Sequence, residues 1–201
     1  SDGRLLVSTD TGRIHCFEAG AAGKQSTSSK PVADPYPKDK WTAVYEASAR
    51  SILSQTGIRT GFCLVVGAEQ GRLALALARN SGLKIYGVES DPAKVAAARK
   101  ALVQTGLYGH RITIHEAAAG EIPYSNYFAN LVVSDTHLLT GRVPVAGEVV
   151  AAHLKPCGGA ICLGGTHSFD ADWRNSLGLS KQSVTKTGED FTVVKRGKLP
   201  G

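Results

Sequence analysis

Between Phe62 and Gly164 the chain alternates short apolar, β-prone runs with helix-prone stretches, and no other feature narrows the possible folds so far. The β-prone runs are "FCLVV" (62–66), "KIYGVE" (84–89), "RITIHE" (111–116), "NLVVSD" (130–135) and "GAICLG" (159–164). Between them lie "GRLALALARN" (71–80), "DPAKVAAARKALVQT" (91–105) and "PVAGEVVAAHL" (144–154). The second of these has Pro92 just inside its start and Gly106 at its end, the asymmetry of a helix. Strands separated by helices need crossover connections, and crossovers build a parallel sheet covered on both faces. The alternation stops after one more helical stretch, Asp170 to Leu177, where "SKQSVTKTGEDFTVVKRG" offers two β-prone runs around "TGED". A closing antiparallel hairpin on a mostly parallel α/β sheet is the expected architecture.

Upstream, Trp41, Val44, Tyr45, Ser48, Ile52 and Leu53 recur at helical spacing as far as Gly57 and predict an amphipathic helix. Residues 19–40 are rich in Gly, Ser, Ala and Pro without apolar periodicity, the composition of a linker. Before them, Arg4–Ser8 and Arg13–Glu18 read as a β-hairpin across "TDTG", too small to be stable without a partner sheet. The predicted organisation is a hairpin over 1–18, a linker over 19–40 and one domain over 41–201. The stretch "DGRLLVSTDTGRIHCFEA" resembles a blade motif of quinoprotein-type (PQQ-like) β-propellers; one blade fragment does not imply their quinone cofactor. That resemblance, with a chain that starts at Ser1 and contains no methionine, implies a piece of a longer protein carrying further blades.

Composition excludes some partners. At 201 residues with 42% hydrophobic residues the chain can bury a real core. No apolar run approaches a membrane span, and the first residues lack a leader's basic-then-apolar layout. The four cysteines, at 16, 63, 157 and 162, match neither a zinc ribbon nor a dense disulfide framework, so buried thiols in a reducing, cytoplasmic setting are expected. The net charge of +6 is scattered, clustering only at "KRGK" (195–198) without interleaved aromatics, which argues against a nucleic-acid platform. The histidines show no paired ligand spacing, and no metal is expected.

The chemistry concentrates where "CLVVGAEQG" turns from a strand into a helix, because such a turn aims backbone N–H groups and a helix N-terminus at a ligand. A dinucleotide fingerprint, G-x-G-x-x-G, would need glycine at Gly67, Glu69 and Arg72 and meets one of three. The pattern G-x-G-x-G falls on Gly67, Glu69 and Gly71 and meets two. Glu89 ends the next strand 22 positions after Gly67, where an acid can accept from both hydroxyls of a ribose.

From Trp41 to Gly197 the chain resembles the class I S-adenosylmethionine-dependent methyltransferases. "GFCLVVGAEQGRLALALA" is similar to their first motif, "IYGVESDPAKVAAARKAL" to the second, "EIPYSNYFANLVVSD" to the segment leading into the fourth strand and "HLKPCGGAICLG" to the Pro-Gly-Gly strand that follows. The resemblance implies a Rossmann-like three-layer fold, S-adenosylmethionine as cofactor and methyl transfer to a small-molecule or protein acceptor. It places Gly67, Ala68, Glu69, Gly71, Glu89, Ser90, Ala117 and Ser134 around the cofactor. Asp135 and His137, at the end of the fourth strand of that fold, become candidates for orienting the acceptor or removing its proton, with His167 a further one after the fifth.

The departures are specific. Val65 stands where an acid usually precedes the turn, Ala117 where an acid usually holds the adenine amino group, Asn130 where aspartate is usual, and Cys157 interrupts Pro-Gly-Gly. Glu69 occupies the central glycine's place, with two outcomes: its carboxylate faces the ligand's ammonium, or it fills the pocket and strains the turn. The second would leave an inactive methyltransferase fold serving as an interaction module.

Overall fold

A computed structural model describes residues 4–10, 14–20, 31–118, 120–164, 171–179, 184–186 and 191–195 of the chain. Five strands and three helices form the first part of the main body: α1 (Lys40–Thr56), β3 (Thr60–Val66), α2 (Arg72–Asn80), β4 (Gly82–Glu89), α3 (Pro92–Gln104), β5 (Ile112–Glu116), β6 (Leu131–Ser134) and, farther on, β7 (Ala160–Gly164). Two short helices, α4 (Asp135–Thr140) and α5 (Gly147–His153), separate β6 from β7; α6 (Ala171–Ser176), β8 (Val184–Lys186) and β9 (Phe191–Lys195) complete it. β1 (Arg4–Ser8) and β2 (Ile14–Glu18) precede them all.

The strand order is β5-β4-β3-β6-β7-β9-β8, with the first five parallel and β9 antiparallel to both β7 and β8. This is the Rossmann-like methyltransferase fold expected from the alternation and the closing hairpin. The apolar runs are unbroken because both faces of the sheet are covered. Cys63 and Val65 of β3, Leu131 and Val133 of β6, and Ala160 and Cys162 of β7 pack with α1, α2 and α3. Their neighbours Leu64, Val66, Val132, Ile161 and Leu163 pack with α5, Leu177 and the β5–β6 crossover. That crossover has no helix among its described residues; Tyr124 and Phe128 cover the sheet there, stacked with His115 and edge-on to Tyr86.

Helix starts and stops follow local chemistry. Asp39 accepts from the N–H groups of Trp41 and Thr42 while Thr42 reaches back to the Asp39 N–H, and Gly57 ends α1 at φ +71°. The buried stripe is Tyr45, Ser48, Ala49, Ile52, Leu53 and Thr56; Val44, expected inside, is 38% exposed. Asp91 caps α3 ahead of Pro92. The expected linker is described from Pro31 onward, and there the Val32 N–H donates to the Gln104 carbonyl and the Tyr36 hydroxyl to the Gln70 carbonyl.

The end of β6 differs from the pattern reading, which ran the strand through His137. Ser134 accepts the His137 N–H at 3.1 Å and Gly141 stops the turn at φ +76°, so the chain winds into α4 directly after Ser134. β1 and β2 do pair as a hairpin, Arg4 opposite Glu18 and Ser8 opposite Ile14, with every strand residue exposed. No helix of the described residues is long and apolar enough to cross a membrane.

Candidate functional site

β3 has β4 on one side and β6 on the other, and connections leave in opposite directions from that point, which opens a crevice beyond the strand ends. The turn after β3 fills it. Gly67 takes φ +62° and Gly71 φ +80°, and Glu69 also lies in the left-handed region at φ +49°. A hydrogen bond from the Ala68 N–H to the Val88 carbonyl, 3.0 Å, clips the turn to β4.

Glu89 sits under this turn, 6% exposed, and all three donors to its carboxylate are backbone. One oxygen accepts from Ser90 at 3.0 Å and Asp91 at 3.1 Å; the other accepts from Glu69 at 2.9 Å. The glycine turn and Glu89 are therefore one hydrogen-bonded unit. An ionised carboxylate accepts about four hydrogen bonds, so one site remains for a ligand hydroxyl. Ala117 is at the same rim, its N–H on the Glu89 carbonyl at 3.1 Å, and brings no polar side chain.

The Glu69 carboxylate turns across the rim. It accepts the Thr136 hydroxyl at 2.7 Å and pairs with the Lys94 ammonium at 2.6 Å, which raises the lysine's affinity for its proton. Thr136 also donates its N–H to the Gly67 carbonyl at 3.0 Å. A side chain at Gly67 would run into Thr136 and Pro144, so glycine is needed there for close packing as well as for its φ.

On the α1 side of the turn lies a cavity of about 360 Å³, bounded by Asp39, Trp41, Tyr45, Glu69, Gln70, Arg72 and Leu139. Arg72 grips both oxygens of Asp39 at 2.8 and 2.9 Å and lies over the rings of Tyr36 and Tyr45. This fork holds the Asp39 carboxyl below its ordinary pKa, chiefly by the side-chain hydrogen bond. The volume falls in the range of small-ligand clefts, and aromatic walls with a few placed charges are what such clefts use.

Asp135 lies deeper than a residue meeting an acceptor directly would. It has no exposure, accepts the Tyr45 hydroxyl at 2.8 Å and takes the Leu73 N–H at 3.5 Å. Burial pushes its carboxyl up to about 7 against the pull of those two donors. Ser134, 3% exposed, is the cap of α4. His137, also 3% exposed, donates Nδ1–H to the Gly164 carbonyl at 3.2 Å, since a carbonyl can only accept. His167 falls outside the described residues.

Sequence reasoning missed five contributors. Tyr45 carried only a core signal in its helical stripe, and Tyr36 stood in a segment read as linker. Arg72 and Lys94 lie inside motif stretches without a role assigned there and Thr136 lies beyond them; the roles of all three depend on which elements the fold brings together. Among the described residues no group of three or more His, Cys, Asp or Glu is placed to hold a metal ion.

Residues 63–158 match the sequence profile of a family described as "Methyltransferase domain". No curated protein gives a significant sequence match to the chain. Among solved structures, a candidate S-adenosyl-L-methionine-dependent methyltransferase from Methanococcus maripaludis superposes with a TM-score of 0.66 at 19% identity, over 87% of this chain and 98% of that one. A SAM-dependent methyltransferase from Aquifex aeolicus gives 0.57 at 15% identity, over 78% and 92%. The cyclase SpnF gives 0.54 at 22% identity, over 64% of this chain and 47% of its own length. At these identities the likeness concerns architecture, and the chain shares the fold of two methyltransferases and a cyclase.

Proposed function

We propose that residues 41–201 bind S-adenosylmethionine and transfer its methyl group to a small-molecule or protein acceptor. The observation that carries this reading is the hydrogen bond from the Glu69 N–H to the Glu89 carboxylate, which joins the glycine turn to the ribose acid beside a 360 Å³ cavity. Support also comes from the profile match over residues 63–158.

The residues present fit the cofactor at two of its parts. Glu89 keeps one acceptor site for ribose, and Ser90 follows it at the rim. The cavity offers the Arg72 guanidinium for a carboxylate, with donors beyond those spent on Asp39, and the Asp39 carboxylate for an ammonium. The adenine edge has less, because Ala117 supplies no side-chain acceptor. When bound, the sulfonium supplies an activated methyl carbon to an attacking nucleophile.

The chain's own part is to align the two reactants and keep water away, with proton removal needed only for a protonated acceptor. Trp41, Tyr45 and Leu139 give that cavity its apolar wall. Tyr45 borders that cavity while its hydroxyl donates to Asp135, so Asp135 acts on an acceptor through Tyr45. His137, on α4, serves through the position of that helix against β7.

A second reading is favoured by Thr136 and Pro144 closing over Gly67: the fold is kept as a non-catalytic interaction module. Isothermal titration of the 201-residue chain with S-adenosylmethionine and S-adenosylhomocysteine separates the two. Saturable heat that Glu89→Ala abolishes is expected. No heat and no thermal shift at millimolar ligand would reject methyl transfer and leave the module.

A further inference from the structure

Resting on the ligand site just proposed, we infer that Glu69 is an internal competitor for it: its carboxylate occupies the Lys94 ammonium and the Thr136 hydroxyl, two donors that serve the ligand's oxygens once Glu69 swings away. Lys94 and Thr136 thereby become binding residues of the open site.

Three features of the turn point this way. Glu69 holds a backbone conformation that glycine adopts freely and a glutamate adopts at a cost, so something must hold it there. The bond from its backbone N–H to Glu89 at 2.9 Å does so, while its side chain is bonded to α3 through Lys94 at 2.6 Å and to α4 through Thr136 at 2.7 Å. The contact crosses the crevice from one flank to the other, so a ligand lying on the rim and the Glu69 carboxylate claim the same ground.

Opening leaves the turn itself intact. The Ala68 N–H stays on the Val88 carbonyl and the Gly71 N–H on the Ala68 carbonyl, while only the Glu69 side chain rotates outward. Lys94 can follow a ligand because its side chain is 39% exposed, against 14% for Glu69. An ammonium and a hydroxyl both donate, so the groups they receive are carboxylate or hydroxyl oxygens, which a sulfonium nucleoside carries at its amino-acid and ribose parts. Apparent affinity is reduced by the fraction of molecules in which the rim stands open.

The test is calorimetric titration of S-adenosylhomocysteine and S-adenosylmethionine into the parent chain, Glu69→Gly, Glu69→Gln, and Glu69→Gly combined with Lys94→Ala or Thr136→Val. Glu69→Gly is expected to bind at least about tenfold more tightly, with Glu69→Gln between it and the parent, since the amide still accepts from Thr136 but holds no charge for Lys94. Either added substitution should return much of that gain. Thermal melting checks folding, which glycine at a left-handed position favours.

Equal binding by the parent and Glu69→Gly overturns the competitor and leaves methyl transfer standing. A gain in Glu69→Gly that survives both added substitutions overturns Lys94 and Thr136 as ligand donors. No binding by either the parent or Glu69→Gly overturns the cofactor reading and the competitor together.

Discussion

Glu89 and Asp135 follow apolar runs at the ends of the two strands that flank β3, and both are buried, yet the chain treats them in opposite ways. Around Glu89 the backbone bends twice, after β3 and after β4, and turns three N–H groups onto one carboxylate. Around Asp135 the neighbouring N–H groups are spent elsewhere, Thr136 on the Gly67 carbonyl and His137 on the Ser134 hydroxyl, and a phenol plus one long N–H contact remain. Burial without matching donors pushes the Asp135 carboxyl up to about 7. The two buried carboxylates differ in how many donors the surrounding chain aims at them, three backbone N–H groups at Glu89 against one phenol and one long N–H contact at Asp135.

The comparison breaks first at Glu89. Glu89→Ala leaves the Glu69, Ser90 and Asp91 N–H groups without their acceptor, and a loss of about 4 kcal/mol in urea unfolding is expected, along with ligand binding. If the loss is under about 1 kcal/mol, water replaces the carboxylate easily and the turn does not depend on it.

At Asp135 the expected sign depends on pH. Its folded pKa of about 7 lies above the ordinary 3.8, so the stability this group contributes is full below about pH 4, falls as pH rises and is gone above about pH 7. Asp135→Asn removes the titration and keeps an acceptor for Tyr45. Relative to the parent it should gain about 4 kcal/mol between about pH 4 and pH 8, read from unfolding curves at both. Parallel pH profiles for the two proteins would show that Asp135 is already well solvated in the fold.

Legibility in the sequence follows the same division. The parallel sheet was readable because both-face burial makes each strand a continuous apolar run, and the closing hairpin because "TGED" separates two β-prone runs. The turn over Gly67, Glu69 and Gly71 and its neighbour Glu89 were legible as local structure because strand, turn and acid follow one another at fixed spacing. The short helix α4 was not: a strand end followed by "SDTHLLT" gives a six-residue helix little periodicity to show. With α4 unread, Asp135 looked like a rim residue and Thr136 had no role. Tyr45 meets Asp135 across 90 residues and Lys94 meets Glu69 from another helix, pairings that exist only after the layers have packed.

Tyr45→Phe sharpens the Asp135 side with a smaller effect. It removes the shorter of the two hydrogen bonds to Asp135 while filling the same volume, so about 1.5 kcal/mol of stability is expected to go at pH 8. The Tyr45 bond pulls the Asp135 carboxyl down, so its loss should move the pH transition of stability upward. An unchanged transition would mean that burial sets the carboxyl's state without help from Tyr45.

The smallest effect belongs to Ser134, which explains why Asp135 can be buried at all. At the end of β4 the acid itself satisfies the N–H groups that follow it, whereas at the end of β6 the Ser134 hydroxyl accepts from His137 and releases Asp135 to turn inward. Ser134→Ala should cost about 1 kcal/mol, and Ser134→Asn, which can accept the same N–H, should recover most of it. If Asn fails to recover the loss in thermal unfolding, the hydroxyl stabilises by packing in a site 3% exposed, and the inward turn of Asp135 owes nothing to the cap. If Ser134→Ala alone also shifts the pH transition of Asp135, the cap and the buried acid are coupled, and the two rims differ because one residue does at β4 the work that two share at β6.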